Sequence, residues 1–223
     1  MKIDLHNHSY FSNDGLSSPE KLIKEALKKG LDGIAITDHN TVDGWPEAIE
    51  AAKKFNAVLV LGQEISTDKG DLLGLFLSKK VESRKFLEAV KEIKAQGGVA
   101  ILPHPFHFPE NFRGKIKDVA KDIDGLEVFN SRGPVSLLDR MALVAAKDNG
   151  LAMTGGSDTH LWRTCGSAYA EADVKNLEDF KKAILERKTS VTGKKTSVLY
   201  LVAPITARRF WFLFAEKRKR RQK

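Results

Sequence analysis

No stretch of eighteen residues is both apolar and free of charge, so the sequence offers no membrane-spanning helix. No signal peptide precedes its first strand-like segment either. Cysteine is almost missing: Cys165 stands alone, which excludes an internal disulfide framework and fits a reducing cytoplasm. Nothing near it in sequence resembles a base that would activate its thiol. Neither GxGxxG after a strand nor GxxxxGK[ST] occurs, so the two standard phosphate-cradling loops of nucleotide-binding proteins are excluded. "TGGSDTH" is glycine-rich but short, and its glycines are expected to let the backbone turn as Asp158 and His160 enter a site. The GxSxG elbow of serine hydrolases is absent as well.

What is present is an ordinary globular composition, 42% hydrophobic and 30% charged over 223 residues, enough for one large domain. The net charge of +8 is local. Residues 204–223 hold eight Lys/Arg and one Glu, leaving +1 for the first 203 residues. The main domain is therefore not a basic nucleic-acid surface. A domain over 1–197 followed by an apolar, aromatic and then basic tail over 198–223 is the expected division. Pro204 and the Arg208–Arg209 pair interrupt the tail's apolar stretch, and mid-bilayer arginines cost about 2.5–3.5 kcal/mol each. Three uses of the tail stay open: packing on the domain, lying on an anionic membrane surface, or contacting nucleic acid.

Apolar strand-like runs occur at "KIDLH", "GIAITDH", "AVLVLGQE", "GVAILPH", "GLEVFN", "LAMTGGSD" and "SAYAEADV". Helical patterns lie between most of them: one opened by Ser18-Pro19-Glu20 and closed by Gly30, then 43–55, 83–96, 135–149 and 177–187. Such alternation predicts an α/β domain with a mostly parallel sheet, closed as a small barrel or left open. Successive runs end in His6/His8, Asp38-His39, Glu64, His104, Asn130 and Asp158/His160. Five of six histidines sit at such ends, and His107 follows one by three residues. In an extended chain residues i and i+2 point the same way, so His6 and His8 can aim at one point. In a parallel barrel all these strand ends open on one face and converge there.

Taken in order, "DLHNHSYFSNDG", "GIAITDHNT", "GQEIS", "ILPHPF", "GLEVFNSR" and "GSDTH" resemble the PHP (polymerase and histidinol phosphatase) domain family over residues 1–193. The resemblance implies a distorted (β/α)7 barrel with two or three divalent ions, Mn²⁺, Fe²⁺ or Zn²⁺, at the C-terminal ends of the strands. It implies His6, His8, Glu64 and Asp158 on one ion, with Glu64 bridging to a second that His104 also binds. Asp14, His39 and His160 would hold a third. Asp38 precedes a ligand and is expected to orient it. The implied activity is hydrolysis of phosphate esters by a metal-bound hydroxide. Stand-alone relatives act as nucleotide phosphatases or 5′-3′ exonucleases on short nucleic acids. Histidinol-phosphate hydrolysis and a non-catalytic module supporting a partner are the alternatives.

One position departs from the pattern: in "EISTDKGDLLGL" relatives carry histidine where this chain has Asp71. Asp71 as the ligand, or His107 reaching the same ion from "HPFHF", are both open; a carboxylate favours Mn²⁺ or Fe²⁺ over Zn²⁺. The inserted cap of larger relatives is missing or reduced to "FHFPENFRG", which leaves the site open enough for a polynucleotide end. Chemically, paired metal ions lower the pKa of water from 15.7 towards about 7 and bind phosphoryl oxygens. Arg132, Arg113 and Arg163 are candidates to hold the phosphate through paired N–H donors. His160 or His39 is expected to protonate the leaving oxygen.

Overall fold

A computed structural model describes residues 1–109, 111–133, 135–197 and 200. The expectations for the tail, Tyr200 apart, therefore lie outside the described residues. Nine strands form one sheet: β1 (Lys2–Asp4), β2 (Gly33–Ile36), β3 (Val58–Thr67), β4 (Gly70–Leu75), β5 (Val99–Leu102), β6 (Gly125–Asn130), β7 (Ala152–Gly156), β8 (Ala168–Glu171) and β9 (Ser190–Gly193). Their order is β7-β6-β5-β4-β3-β2-β1-β8-β9. The helices are α1 (Pro19–Lys28), α2 (Trp45–Phe55), α3 (Phe86–Ala95), α4 (Ile116–Val119), α5 (Ser136–Asp148) and α6 (Leu177–Leu185).

The alternation predicted from sequence holds for β1 to β3 and for β5 to β7, where every adjacent pair is parallel. Two strands add to the expected seven. β4 folds straight back on β3 through a turn at Gly70 (φ +108°), so both of its neighbours are antiparallel. β9 pairs antiparallel with β8, which is itself antiparallel to β1. The sheet nearly closes into a barrel by a short seam rather than a full ladder. Beyond the ends of β7 and β1, the Asp158 N–H donates to the His6 carbonyl at 2.8 Å. Next to it the His8 N–H donates to the Thr159 carbonyl at 2.9 Å.

Local chemistry sets the helix ends. Ser18 accepts from the Lys21 N–H at 3.2 Å and Pro19 opens α1, while Gly30 at φ +81° ends it. Asn176 caps α6 by accepting from the Asp179 N–H at 2.8 Å. Alternation along the strands splits the core in two. Ile34 and Ile36 of β2 pack with Leu22 and Ile23 of α1, whereas Ala35 joins Ile3, Val60, Leu73 and Ile101 on the other face. Phe180 and Ile184 of α6 belong to that second cluster. Buried polar side chains, among them His6, His8, Glu64, His104 and His160, gather at the C-terminal ends of the strands.

Candidate metal centre

Glu64, two residues before the exposed tail of β3, is the hub. Its Oε2 lies 3.0 Å from His39 Nδ1, 3.1 Å from His8 Nε2 and 3.3 Å from His6 Nε2; its Oε1 lies 3.2 Å from His104 Nε2. Asp158 Oδ1 stands 3.4 Å from His8 Nε2 and 3.5 Å from His160 Nδ1. Asp14 Oδ2 reaches His160 Nε2 at 2.9 Å and His39 Nε2 at 3.4 Å. Asp71 faces Ser66 across the β3–β4 hairpin. Glu64 and Ser66 share one face of β3, so Asp71 falls beside Glu64. Four groups of donor atoms result among the described residues, each within 4.8 Å: His6/His8/Asp158, Glu64/Asp71/His104, His8/Asp14/His39/His160 and His6/His104/Glu127. All nine residues named as ligands from the sequence are brought together.

The donors fit a cation. His6 Nε2, His8 Nε2, His104 Nδ1 and Glu64 Oε2 are buried without a hydrogen-bond partner among the described residues. His6 and His8 approach Glu64 closely in distance but not in hydrogen-bond alignment, as lone pairs sharing one positive charge would. The tautomers agree. Asp38 accepts from the Ser9 N–H (2.6 Å) and hydroxyl (2.7 Å), and from Ser12 Oγ (3.2 Å). With its proton given to Asp38, Ser12 Oγ can accept from His8 Nδ1–H at 3.2 Å, which leaves the His8 Nε2 lone pair aimed inward. His160 Nδ1 donates to the Asp158 carbonyl at 3.0 Å and points Nε2 the same way.

Glu127 was not singled out from sequence. Buried at the middle of β6, its Oε1 accepts from His6 Nδ1 at 3.1 Å; its Oε2 accepts from the His104 N–H (3.0 Å) and Asn130 Nδ2 (2.9 Å). It thereby fixes the proton of His6 on Nδ1. Asn130 also donates to Asp158 Oδ2 at 3.2 Å. The readable signal is a carboxylate inside an otherwise apolar strand buried on both faces, a position that must be paired.

Electrostatics in the metal-free protein are set by this crowding. Burial opposes charge on His39, yet Glu64 and Asp14 outweigh it and push its pKa up to about 10. His104 is likewise buried, but Glu64 raises it to about 9. Burial also opposes ionisation of Glu64 and Asp158, yet the surrounding imidazoles, joined at Asp158 by Arg132, hold both well below the usual carboxylate range. Burial, with Glu64 next to it, raises Asp71 to about 6. His160 is lowered by burial and by the charge of His8.

The backbone is strained where the ligands sit: His104 has φ +26° and Asp158 φ +49°, conformations that cost about 1–3 kcal/mol each and persist only where the surroundings impose them. Gly156 serves clearance rather than the turn expected from sequence. A Cβ there would stand 2.3 Å from His6 Cβ and 2.8 Å from Glu127 Oε1.

The other candidates separate cleanly. Arg132 Nη1 lies 3.0 Å from His160 Nε2 and 3.7 Å from Asp158 Oδ1, at the rim of the cluster. Arg163 stacks on Trp162 with 5.0 Å to the ring centre. Arg113 is exposed, its backbone N–H tied to the Lys69 carbonyl. His107 turns to Asp139, 3.8 Å away, and belongs to none of the four donor groups. Cys165 is buried, which raises its pKa well above the usual thiol value.

A nearly closed α/β barrel whose strand ends gather imidazoles and carboxylates defines a metal-site barrel. The chain belongs to the PHP domain family, which matches residues 4–186. An uncharacterized protein of Methanocaldococcus jannaschii is 37% identical over 155 residues, 64% of this chain and 90% of that protein. A Haemophilus influenzae protein named 5′-3′ exoribonuclease is 45% identical over 67 residues, 30% of this chain and 24% of that one. Among solved structures, a two-domain protein from Bacteroides vulgatus containing a predicted PHP-like metal-dependent phosphoesterase superposes with a TM-score of 0.75. It shares 24% identity, over 93% of this chain and 69% of that chain. No helix among the described residues is long and apolar enough to cross a membrane.

Proposed function

We propose that this chain is a metal-dependent phosphoesterase acting on nucleotides or on the 5′ ends of short nucleic acids. The observation that carries this reading is the convergence of four imidazoles on the single carboxylate of Glu64. In this reading His6, His8, Asp158 and Glu64 hold one divalent ion, Glu64, Asp71 and His104 a second, and Asp14, His39 and His160 a third. Mixed imidazole and carboxylate donors suit Mn²⁺, Fe²⁺ or Zn²⁺. When bound, such ions activate a water molecule and stabilise charge on the phosphoryl oxygens.

The chain's own groups supply the rest. Arg132, 3.7 Å from Asp158, meets a phosphoryl oxygen through its guanidinium N–H donors and so fixes the ester against the strand ends. His39 Nε2, 3.4 Å from Asp14 on the partly exposed side of the cluster, is placed to give a proton to the leaving oxygen when the third ion is not bound there. Asp38 and Glu127 hold the proton on Nδ1 of His8 and His6 and keep both rings in place. Nucleic acid is favoured by the match to the Haemophilus protein named an exoribonuclease. It is also favoured by the connection from β5 to β6, whose one helix among the described residues is the four-residue α4.

The test is a Mn²⁺-supplemented panel of p-nitrophenyl phosphate, its bis ester, mononucleotides, 3′,5′-bisphosphates, 5′-phosphorylated oligonucleotides and histidinol phosphate, with metal content measured in parallel. Two or three ions per chain and turnover abolished by Glu64→Ala are expected. A metal-replete protein that hydrolyses none of the panel is a non-catalytic PHP module, and the proposal fails.

A further inference from the structure

β6 ends on a side chain whose hydrogen-bonding capacity is fully used. Asn130 is 1% exposed. Its Nδ2 donates to Glu127 Oε2 at 2.9 Å and to Asp158 Oδ2 at 3.2 Å. Its Oδ1 accepts from the N–H groups of Arg132 at 2.9 Å and Gly133 at 3.2 Å. Two donors and two acceptor sites are all that an amide has. One pair of bonds faces carboxylates of the metal centre, and the other fixes the start of the loop that carries Arg132. Among side chains of this size, an aspartate has no donor for Glu127 and Asp158, and a leucine has neither donor nor acceptor.

The backbone of the same residue is held from outside the centre. The Asn130 N–H donates to Asp139 Oδ1 of α5 at 3.3 Å, and the Asn130 carbonyl accepts from Lys195 Nζ at 2.8 Å. Lys195 also pairs with Asp139, which closes a ring of three residues around the Asn130 backbone. Asp139 is buried, and Lys195 belongs to the segment that leaves β9. Bonds on either side tie that segment down: the Lys194 N–H donates to the Ser167 carbonyl and the Thr196 N–H to the Ser131 carbonyl, both at 2.8 Å. Neither Asp139 nor Lys195 belongs to a donor group; both reach the centre through Asn130.

Resting on the phosphoesterase reading for the role of Arg132, we propose that Asn130 is a positioning residue that sets a metal ligand and the phosphate-holding arginine together, with the Asp139–Lys195 pair keeping it in register. Its bond to Asp158 Oδ2 leaves Oδ1 as the oxygen nearest His8 and His160, at 3.4 Å and 3.5 Å. The amide thereby selects which carboxylate oxygen is offered to the ion. It also fixes the backbone from which Arg132 Nη1 comes within 3.0 Å of His160 Nε2. Holding the metal and holding the phosphate are therefore linked mechanically, because a shift of Asn130 moves both.

The experiment uses the full chain with Asn130→Ala, Lys195→Met and Lys195→Arg. Calorimetry gives the Kd of Mn²⁺ for the metal-free protein and the Kd of inorganic phosphate for the Mn²⁺-loaded protein. Thermal melting checks the fold, and p-nitrophenyl phosphate serves as the ester. Asn130→Ala should raise both Kd values about tenfold or more, as losing a partner behind a metal ligand does. Lys195→Met leaves the amide in place and loosens its backbone, so both Kd values should rise less, about threefold or more. At saturating Mn²⁺ its KM for the ester should rise with kcat within about twofold, the mark of weakened binding rather than altered chemistry. Lys195→Arg should return both Kd values to within about twofold of wild type. A Lys195→Met protein that melts lower yet keeps both wild-type Kd values overturns the proposal, because its role is then structural alone. So does an Asn130→Ala protein that loses Mn²⁺ affinity and keeps its phosphate affinity, and if that variant does not fold, Lys195→Met decides. A wild-type chain inert on every ester refutes the phosphoesterase reading instead, and the two titrations still decide whether Asn130 links metal to phosphate.

Discussion

Replacing Glu127 with glutamine keeps the side chain's size and removes one acceptor. Oε2 serves two donors, the His104 N–H at 3.0 Å and Asn130 Nδ2 at 2.9 Å, and Oε1 serves His6 Nδ1 at 3.1 Å. An amide keeping its oxygen on the first pair turns its NH₂ group towards His6 Nδ1. The ring can then bond to it only by carrying its proton on Nε2, the atom 3.3 Å from Glu64. Its lone pair is withdrawn from the centre. The flipped amide instead faces two N–H donors. Either arrangement should weaken Mn²⁺ binding about 10–100-fold, the usual size of losing a partner behind a metal-bound histidine. That is about 1.4–2.7 kcal/mol. Calorimetric titration of the metal-free protein with Mn²⁺ measures it, and thermal melting without metal checks that the fold persists. An affinity within about twofold of wild type would refute the tautomer argument.

Asp71→Ala should lose one bound ion while His107→Ala keeps the full complement, because Asp71 sits with Glu64 and His104 whereas His107 faces Asp139; elemental analysis of both variants decides it. Asp71 is raised to about 6, so a proton competes for that site as pH falls below 6, and Mn²⁺ occupancy should decline there first. In the metal-free protein His39 and His104 are raised from 6.5 to about 10 and about 9. The stability they contribute is complete below pH 6.5 and is lost as pH rises through 9 and 10, so the metal-free melting temperature should fall across that range in a differential scan. Phe86→Ala empties a fully buried position packed on Phe112, with ring centres 5.3 Å apart, and should cost about 3–5 kcal/mol in urea unfolding.

The strands that end in histidine were legible because each combines an apolar run with a polar terminus, and a parallel barrel has one place for such termini. Asp38 was expected to orient His39, the ligand it precedes, whereas its carboxylate reaches His8 through Ser12. β4 was not. "GDLLGL" carries two glycines and an aspartate and reads as a loop, yet Leu72, Leu73 and Leu75 are buried and Gly70 supplies the left-handed turn that folds them back. Its consequence for the site is large, since only that hairpin brings Asp71 beside Glu64; the family pattern, not the local periodicity, pointed to the residue. Glu127 lies in mid-strand rather than at a strand end, so a search for polar termini passes over it. Arg113 and Arg163 follow from the same limit in reverse: sequence shows a cation near a strand end but not the direction in which it points.

The two hydrogen bonds of the barrel seam join residues 6 and 8 to residues 158 and 159, and so set a timetable for the protein's own manufacture. His6 and His8 are made before the partners that aim them, which arrive about 150 residues later, roughly 8–30 s at 5–20 residues per second. During that interval the nascent chain carries His6 and His8 without Asp158, and a metal ion captured early would be held by an incomplete set of donors. Metal loading is therefore expected after the seam has closed, as a late event of maturation rather than an early guide to folding.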